Sequence, residues 1–199
     1  CKLYGTLPFA GLARCGFIGI DLINSFVETG IFTIEEKNRY LNSIKNVASN
    51  VNEDFIKLNK HDFIKNYGHL RPNTYDITSL NYREGYDQYF NFGKKNFFEK
   101  NKFKLTQDHY FKINKFLKKN KFKIKVKELD NFIRKSIYNR EYSKFVFSKS
   151  IDLIFYNLIK FGKKYNISRE DLSFIDIVTI LNFHYSLDAT STIENLKFE

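Results

Sequence analysis

The chain has 199 residues, of which 43% are hydrophobic and 18% aromatic, a composition that excludes an intrinsically disordered protein and allows a real core. Its two cysteines, Cys1 and Cys15, are too few for a disulfide framework, which favours a reducing, cytoplasmic setting. Because the sequence begins with Cys1 and contains no methionine, we expect it to be a piece of a longer protein.

The net charge of +11 is concentrated in one lysine-rich segment, residues 94–127. Thirteen lysines lie there against only Glu99 and Asp108, so this segment carries the whole excess of positive charge. It contains no arginine and no recognised nucleic-acid-binding motif, so we expect a solvated or interdomain face, with neither nucleic acid nor a membrane as a partner. The alternative is a non-catalytic helical module that binds a polyanion, nucleic acid or an anionic membrane, through this segment.

The first predicted helix begins near Pro8, which fits the first turn of a helix, and ends at Gly30. Apolar residues recur along it at three- and four-residue steps, which predicts a helix buried in the core. Residues 7–27 approach the length of a membrane span, but Arg14 and Asp21 interrupt them near the middle, where charges are costly in lipid. We therefore expect a buried helix.

Three further helices are predicted before the middle of the chain. A capping box at residues 33–36 opens a second helix that continues through Leu58. A short helix over residues 61–67 then stops at Gly68, and after a loop another helix is predicted over residues 86–98.

The next segment contains one clear helix and one ambiguous stretch. Residues 106–119 form an amphipathic helix whose inward side chains are predicted to be Tyr110, Ile113 and Leu117. Residues 122–127 alternate apolar and basic side chains, which fits either a strand or an extended connector.

The last part of the chain predicts a long helix followed by a short helical region. Residues 129–165 are almost free of helix breakers, and a capping box at 168–171 opens a region that includes Leu181. The sequence therefore predicts an all-α fold, an irregular multi-helix domain over residues 1–187 with one long helix and an ordered motif loop. Residues 188–199 read as the start of a linker.

The most informative segment is the motif loop, which we define as residues 68–85. His69, Arg71 and Asp76 place an imidazole, a guanidinium and a carboxylate within ten residues of one another. Gly68 permits backbone angles that are closed to other residues, and Pro72 disfavours a helical conformation at Arg71. We expect an ordered, non-helical loop that presents these polar groups ready for an anion. In the alternative, Arg71 and Asp76 pair with each other and simply staple the loop.

The motif loop is one of four sequence blocks that occur in a recognisable order: YGTLPFAGLAR at 4–14, YGHLRPNTYDI at 67–77, REYSKFVF at 140–147 and SREDLSFIDI at 168–177. Together they resemble the central helical region of phosphoenolpyruvate synthase-like, PEP-utilising phosphotransferases. The nearest branch is that of the surface-polysaccharide enzymes, which includes glutamine kinases. The resemblance covers roughly residues 3–185 and is weakest in the lysine-rich segment.

This resemblance implies a piece of a multidomain enzyme. In such enzymes an ATP-grasp-like domain phosphorylates a mobile histidine domain, which passes the phosphoryl group to an acceptor. ATP and magnesium would then belong to a nucleotide domain outside this sequence, and the fragment would bind no cofactor and have no activity alone. The implied function is phosphorylation of a small metabolite, possibly glutamine, for surface polysaccharide modification.

The candidate catalytic residues are His69, Arg71 and Asp76. Phosphoryl transfer needs positive charge on the moving group and accurate positioning of donor and acceptor. The Arg71 guanidinium can bind phosphate or carboxylate through two hydrogen bonds, and His69 can move a proton near neutral pH. Asp76 could orient His69 or accept a proton from the acceptor.

The candidate substrate-binding residues are Arg14, Tyr75, Arg140 and Lys144. Arg140 and Lys144 are four residues apart and so share one helix face, which suits an acidic acceptor, although they could equally form solvated or interhelical ion pairs. Arg14 could reach the motif loop from the first helix. The histidines and cysteines have no metal-ligand spacing, so no metal site is expected.

Overall fold

The structure, a computed structural model, describes residues 2–90 and 103–182. These residues are helical and irregular with no strand among them, which confirms the predicted all-α class. Within these two ranges a π-helical segment, Lys2–Thr6, precedes nine α-helices: α1 Leu7–Glu28, α2 Ile34–Asn42, α3 Val47–Lys57, α4 Lys60–Tyr67, α5 Tyr86–Tyr89, α6 Gln107–Lys119, α7 Val126–Tyr165, α8 Arg169–Phe174 and α9 Ile177–Asn182.

The chain divides into two compact units, each built from two separated segments, where the sequence predicted one domain. Unit 1 consists of Cys1–Lys60 and Gly93–Phe147, and unit 2 of His61–Phe92 and Ser148–Glu199. The 40-residue helix α7 contributes its first part to unit 1 and the remainder to unit 2. The linker predicted at 188–199 lies outside the described residues.

Helix α1 has the predicted ends but only one buried face. Its inward residues are Gly16, Gly19, Ile23 and Phe26, whereas Arg14, Phe17, Ile18 and Asp21 are exposed. Leu3–Glu28 is the one helical stretch in the described ranges that is long and apolar enough to cross a bilayer, judged by length and composition alone. The prediction of a buried helix was therefore wrong for most of its surface, because burial is limited to the narrow glycine face.

The two inward glycines explain how closely α1 packs against α7. A Cβ atom added at Gly16 would lie 2.9 Å from Cδ of Arg140, and one at Gly19 would lie 2.9 Å from Oγ of Ser136. Larger residues would hold the helices apart, so the bare backbone permits this packing.

The predicted second helix is in fact two helices, α2 and α3. The Thr33–Glu36 capping box opens α2 as predicted, with reciprocal hydrogen bonds of 3.1 and 2.9 Å. Helix α2 ends at its cap Ser43, and Asn46 opens α3 through a second capping box with Ser49. The sequence prediction missed this break because the apolar period continues across it.

Helix α6 joins the core of unit 1 through His109 in place of the predicted Tyr110. His109 is buried, whereas Tyr110 is 42% exposed, and Ile113 and Leu117 face inward as predicted. The Thr106 N–H donates to Nδ1 of His109 at 3.2 Å, which leaves Nε2 to donate to Oε1 of Glu36 at 3.1 Å. The imidazole therefore links the capping boxes of two helices.

The core of unit 1 is rich in aromatic rings and contains one polar cluster. Tyr40 is almost fully buried and donates its hydroxyl to Asp130 at 2.7 Å, while the Arg134 guanidinium lies over its ring. Burial and the Asp130 hydrogen bond raise the pKa of Tyr40 far above its ordinary value. The apolar members of this core include Ile23, Phe26, Phe32, Ile113, Leu117 and Ile133.

Residues 122–125 form an extended connector and α7 begins at Val126, so the alternative of a strand at 122–127 was wrong. The predicted long helix is confirmed. The final helical region is two helices, because Asp176 accepts a hydrogen bond from the Val178 N–H at 2.8 Å and starts α9 separately. Of the helix predicted at 86–98, α5 accounts for the first turn, and residues 91–98 lie outside the described ranges.

Candidate functional site

The motif loop lies in unit 2 and is closed at its base by backbone hydrogen bonds. It leaves α4 at Gly68 and returns so that the Tyr82 N–H donates to the Leu70 carbonyl at 2.7 Å and the Arg83 N–H to the Gly68 carbonyl at 3.1 Å. The loop contains no helix or strand, as predicted. Its two ends are therefore fixed to each other, which defines the position of everything between them.

Gly68 is required by a close approach and not by an unusual backbone angle. A Cβ atom at this position would collide with the carbonyl oxygen of Ile64, a backbone atom that cannot move aside cheaply. The Gly68 N–H donates to that same carbonyl at 2.8 Å, which is the last backbone bond of α4. The predicted role of Gly68 as a helix stop is thus confirmed with a different physical reason.

Arg71 points into unit 2 and is held on three sides. Its Nη2 donates to Oδ1 of Asp152 at 2.5 Å, and its Nη1 donates to the carbonyls of Ser79 at 3.2 Å and Asp76 at 3.4 Å. Its guanidinium also lies 4.8 Å from the ring centroid of Phe155. Only 3% of the Arg71 side chain is exposed, so the prediction that it faces an incoming anion was wrong for this conformation.

Asp152 is the centre of this polar cluster. It lies on α7, is buried, and accepts a second hydrogen bond from Nδ2 of Asn81 at 2.8 Å. Asn81 in turn accepts the Glu84 N–H at 2.8 Å, which orders the end of the loop. A buried carboxylate needs such donors, because an unpaired charge in the interior is very costly.

Arg83 is the second cation beside Asp152, and it is the accessible one. Its Nη1 lies 3.8 Å from Oδ2 of Asp152, while 56% of its side chain is exposed. One carboxylate therefore faces two guanidinium groups, and Arg83 is the one that stays open to solvent. An anion from solvent can reach Arg83 without breaking the bond between Arg71 and Asp152.

The Asp76 carboxylate is used within the loop and not by Arg71. Its Oδ1 accepts hydrogen bonds from the Thr78 hydroxyl at 2.7 Å and the Thr78 N–H at 2.9 Å. These two bonds hold the pKa of Asp76 below its ordinary value. The suggested pairing of Arg71 with Asp76 is therefore only partly present, since Arg71 donates to the backbone carbonyl of Asp76 and not to its side chain.

Glu84 forms an ion pair at the end of the loop. It accepts hydrogen bonds from the Arg169 guanidinium at 2.5 and 3.3 Å, which joins the loop to the first turn of α8. Partial burial by itself raises the pKa of Glu84, but the Arg169 hydrogen bond and charge outweigh it, so the pKa lies below its ordinary value.

The remaining motif residues differ in accessibility. His69 is buried, with 7% of its surface exposed, whereas Tyr75 is 61% exposed at the tip of the loop. The prediction that the loop presents His69 at the surface was therefore wrong. Tyr75 is placed where a substrate could contact it.

The other three candidate substrate-binding residues belong to unit 1. Arg14 is exposed on α1, and Lys144 is exposed on α7. Arg140 lies against Gly16, with its guanidinium over the ring of Phe17 and its Nε 3.6 Å from Glu141. Arg140 and Lys144 share a helix as predicted, and the suggested contact of Arg14 with the motif loop stays a prediction.

Sequence reasoning missed Asn81, Arg83 and Asp152. A signal for Asp152 was present, because it is the one charged residue in the apolar run IDLIF at 151–155. Such a residue on an apolar helix face needs a partner of opposite charge. Within residues 2–90 and 103–182, no group of three or more His, Cys, Asp or Glu side chains is arranged to hold a metal ion.

No family model matches this chain, and neither a curated protein nor a solved structure matches it.

Proposed function

We propose that this chain is the central helical region of a longer ATP-dependent phosphotransferase similar to phosphoenolpyruvate synthase. It would help to phosphorylate a small metabolite used in surface polysaccharide modification, with glutamine the favoured acceptor. The four sequence blocks support this proposal. The observation that carries it is that the second block folds into a closed loop, fixed through Arg71 and Asp152, that leaves a cation at its edge.

Within this proposal, Arg71 is a positioning residue and Arg83 is the residue that contacts an anion. Arg71 is satisfied by Asp152 and two loop carbonyls, so its contribution is to fix the loop. Arg83 keeps an exposed guanidinium, which suits a phosphoryl oxygen or the carboxylate of an amino-acid acceptor. Tyr75, also exposed, supplies an aromatic ring and a hydroxyl on the same loop.

The proposed roles of His69 and Asp76 follow from their surroundings. Asp76 stays ionised at neutral pH because hydrogen bonds from Thr78 lower its pKa, so it suits orienting an acceptor better than carrying a proton. His69 stays a proposed catalytic residue because an imidazole can move a proton near neutral pH, although its side chain is buried in this structure. Arg14, Arg140 and Lys144 remain proposed substrate contacts from unit 1.

ATP and magnesium would bind in a domain outside this chain, where they supply the phosphoryl group. The residues of this chain would bind the acceptor, orient it and exclude water from it. Positioning alone can account for a large part of the rate of a phosphoryl transfer, so a scaffold region of this kind is essential without being active by itself.

The test is phosphoryl transfer by the longer chain that contains this sequence. With ATP and glutamine, Arg83→Ala should lower kcat/KM for the acceptor by roughly 10- to 100-fold, the effect of losing one charge-assisted hydrogen bond. ATP-dependent phosphorylation of the protein's own histidine should be unchanged. Arg39→Ala, which removes an exposed arginine of α2 in unit 1, is the matched control and should leave both reactions intact.

Two results would count against the proposal. If the longer chain consumed no ATP and transferred no phosphate to glutamine or to any amino acid tested, the assignment to phosphotransferases would fail. If transfer occurred but Arg83→Ala behaved like Arg39→Ala, the enzyme class would stand and the assignment of Arg83 would fall.

A further inference from the structure

The residues just before α6, the solvent side of α6, the connector after it and the first turn of α7 present a basic surface in unit 1, which we call the lysine face. Its nine lysines are all exposed. Among the described residues one carboxylate, Asp108, pairs with a member of this set, Lys112, at 2.7 Å. The members are Lys104, Lys112, Lys115, Lys118, Lys119, Lys121, Lys123, Lys125 and Lys127.

A phenylalanine stands in the middle of this basic surface. Phe111 is 70% exposed, although a side chain of this type is normally placed inside. With 100° between successive helical residues, it lies on the side of α6 opposite to Ile113 and Leu117, the buried stripe. Lys115 and Lys118 follow it by four and seven residues and therefore flank it on the same face.

A second exposed phenylalanine follows the end of α6. Phe122 is 51% exposed, and its N–H donates to the Leu117 carbonyl at 3.0 Å. Lys121, just before it, has a left-handed backbone with φ of +59° and donates its N–H to the Lys118 carbonyl at 3.1 Å. Phe122 is thus held by an ordered turn, with lysines on both sides of it in the sequence.

We infer that the lysine face binds the surface of an anionic lipid bilayer. Lysines near such a surface are attracted to acidic headgroups, and aromatic side chains between them can enter the boundary of the acyl region. The long lysine side chains can lie along that boundary while their ammonium groups stay at the headgroups. Charge and exposed rings together fit this partner, whereas charge alone would fit any polyanion.

The shape of the face favours lipid over nucleic acid. Single-stranded nucleic acids are bound in grooves that follow the backbone, with rings stacking on successive bases. Phe111 instead stands on the outer side of a 13-residue helix, which is convex. The face also has no arginine to grip a phosphate through two hydrogen bonds. Binding to a flat and fluid layer of charged headgroups requires neither a groove nor a guanidinium group that forms two hydrogen bonds.

This inference does not rest on the proposed phosphotransferase activity, because it concerns residues of unit 1 that have no part in the motif loop. It reverses the expectation from sequence that this segment has no membrane partner, and it takes up the anionic-membrane alternative on a structural observation, the exposure of Phe111. The exposed ring is what distinguishes a lipid-binding surface from a merely solvated one.

Vesicle flotation of the 199-residue chain provides the test. At about 0.15 M salt the protein should float with vesicles that contain roughly 30% phosphatidylserine and not with pure phosphatidylcholine vesicles, and about 0.5 M salt should release it. Replacing Lys115, Lys118 and Lys119 together by Gln should weaken partitioning on the order of 100-fold, since each lysine near an anionic surface contributes about a factor of five. Phe111→Ala should weaken it roughly tenfold.

Matched controls separate this surface from net charge and from general hydrophobicity. Replacing Lys45, Lys65 and Lys163 by Gln removes the same charge from exposed positions elsewhere and should weaken partitioning far less. Phe174→Ala removes a ring that is 82% exposed in unit 2 and should have no effect. All of these side chains are exposed, so the far-UV circular dichroism and the Tm of every variant should match those of the parent.

The inference would be overturned if the chain ignored phosphatidylserine vesicles at physiological salt. It would equally be overturned if the two lysine triples behaved alike, or if Phe111→Ala had no more effect than Phe174→Ala. Tight, salt-sensitive binding of a single-stranded oligonucleotide of about 20 residues, without vesicle binding, would assign the lysine face to nucleic acid instead.

Discussion

Arg71 and Asp152 meet inside unit 2 although 81 residues separate them in the chain. The first comes from a loop without secondary structure and the second from the middle of α7. Asn81 donates to the same carboxylate oxygen, so one acidic group orders both halves of the motif loop. The Arg71 side chain is thus used inside the protein, where it ties the motif loop to α7.

Loss of Asp152 should strongly destabilise unit 2. Asp152→Leu leaves the Arg71 guanidinium buried without its counter-charge, which costs about 3–5 kcal/mol. The double variant, Arg71→Met with Asp152→Leu, leaves no buried charge unpaired. Its loss of unfolding free energy should therefore be clearly smaller than the sum of the losses in the two single variants. Urea unfolding followed by circular dichroism measures all three, and Asp21→Leu at an exposed position of α1 should change stability by less than about 0.5 kcal/mol. Additive losses would show that the two side chains do not interact.

The ion pair of Glu84 and Arg169 should make stability depend on pH in the acidic range. The folded-state pKa of Glu84 lies below its unfolded value of 4.5, so its contribution is complete above that pH and is lost as the pH falls through the lowered pKa. Because the pair is partly exposed, with 39% of the Glu84 side chain and 24% of the Arg169 side chain accessible, Glu84→Gln should cost only about 0.2–1 kcal/mol at pH 7 and less at about pH 3. Urea midpoints across this range test the expectation. The control Glu28→Gln, at an exposed position of α1, should leave the dependence of stability on pH unchanged. An equal loss of stability for Glu84→Gln at both pH values would refute the prediction.

His109 should contribute substantially to the stability of unit 1. His109→Ala removes a buried ring that packs 5.0 Å from the Phe32 centroid, along with its bonds to Glu36 and to the Thr106 N–H. The free energy of unfolding should fall by about 2–4 kcal/mol, because a cavity is left in the core and the start of α6 is weakened. Thermal unfolding measures it, with His61→Ala at an exposed position as the control. Equal values of Tm for the two variants would mean that the imidazole does not join the two caps.

Two glycines of α1 should respond to alanine in opposite directions. A Cβ atom at Gly11 would meet nothing within 4 Å, so Gly11→Ala should stabilise the helix by about 0.5–1 kcal/mol. At Gly19 the same atom would lie 2.9 Å from the buried Ser136 hydroxyl, which is already bonded to the Ile133 carbonyl, so Gly19→Ala should destabilise by about 1–3 kcal/mol. Differential scanning calorimetry compares the two variants directly. A gain in stability at Gly19 would show that α1 and α7 are not closely packed there.

The features that sequence reasoning located correctly are those set by neighbouring residues. The capping boxes predicted at Thr33 and Ser168 each bring together groups three residues apart, and both open helices where expected. The all-α class and the long helix likewise follow from local periodicity and the absence of helix breakers. The motif loop was placed correctly because Gly68 and Pro72 act on the adjacent backbone.

The features that were missed depend on residues distant in the chain. Arg71 was expected to face solvent, because its partner Asp152 lies on another element and spacing cannot reveal it. Tyr110 was expected inside, since its spacing to Ile113 fits a helix face as well as that of His109 does. The ring of Phe32 and the carboxylate of Glu36 favour His109, and both come from residues that precede α6 by more than 70 positions.

The interleaving of the two units has a consequence for synthesis on the ribosome. Neither unit is a continuous stretch of chain, since each takes one segment from the first 92 residues and another from those after them. Unit 1 is complete only when the chain as far as Phe147 has left the ribosome, and unit 2 is complete only when its second segment, which begins at Ser148, has followed. During most of its translation the nascent polypeptide therefore exposes apolar helices that lack their packing partners, a state prone to aggregation, and any truncation before Phe147 leaves both units incomplete.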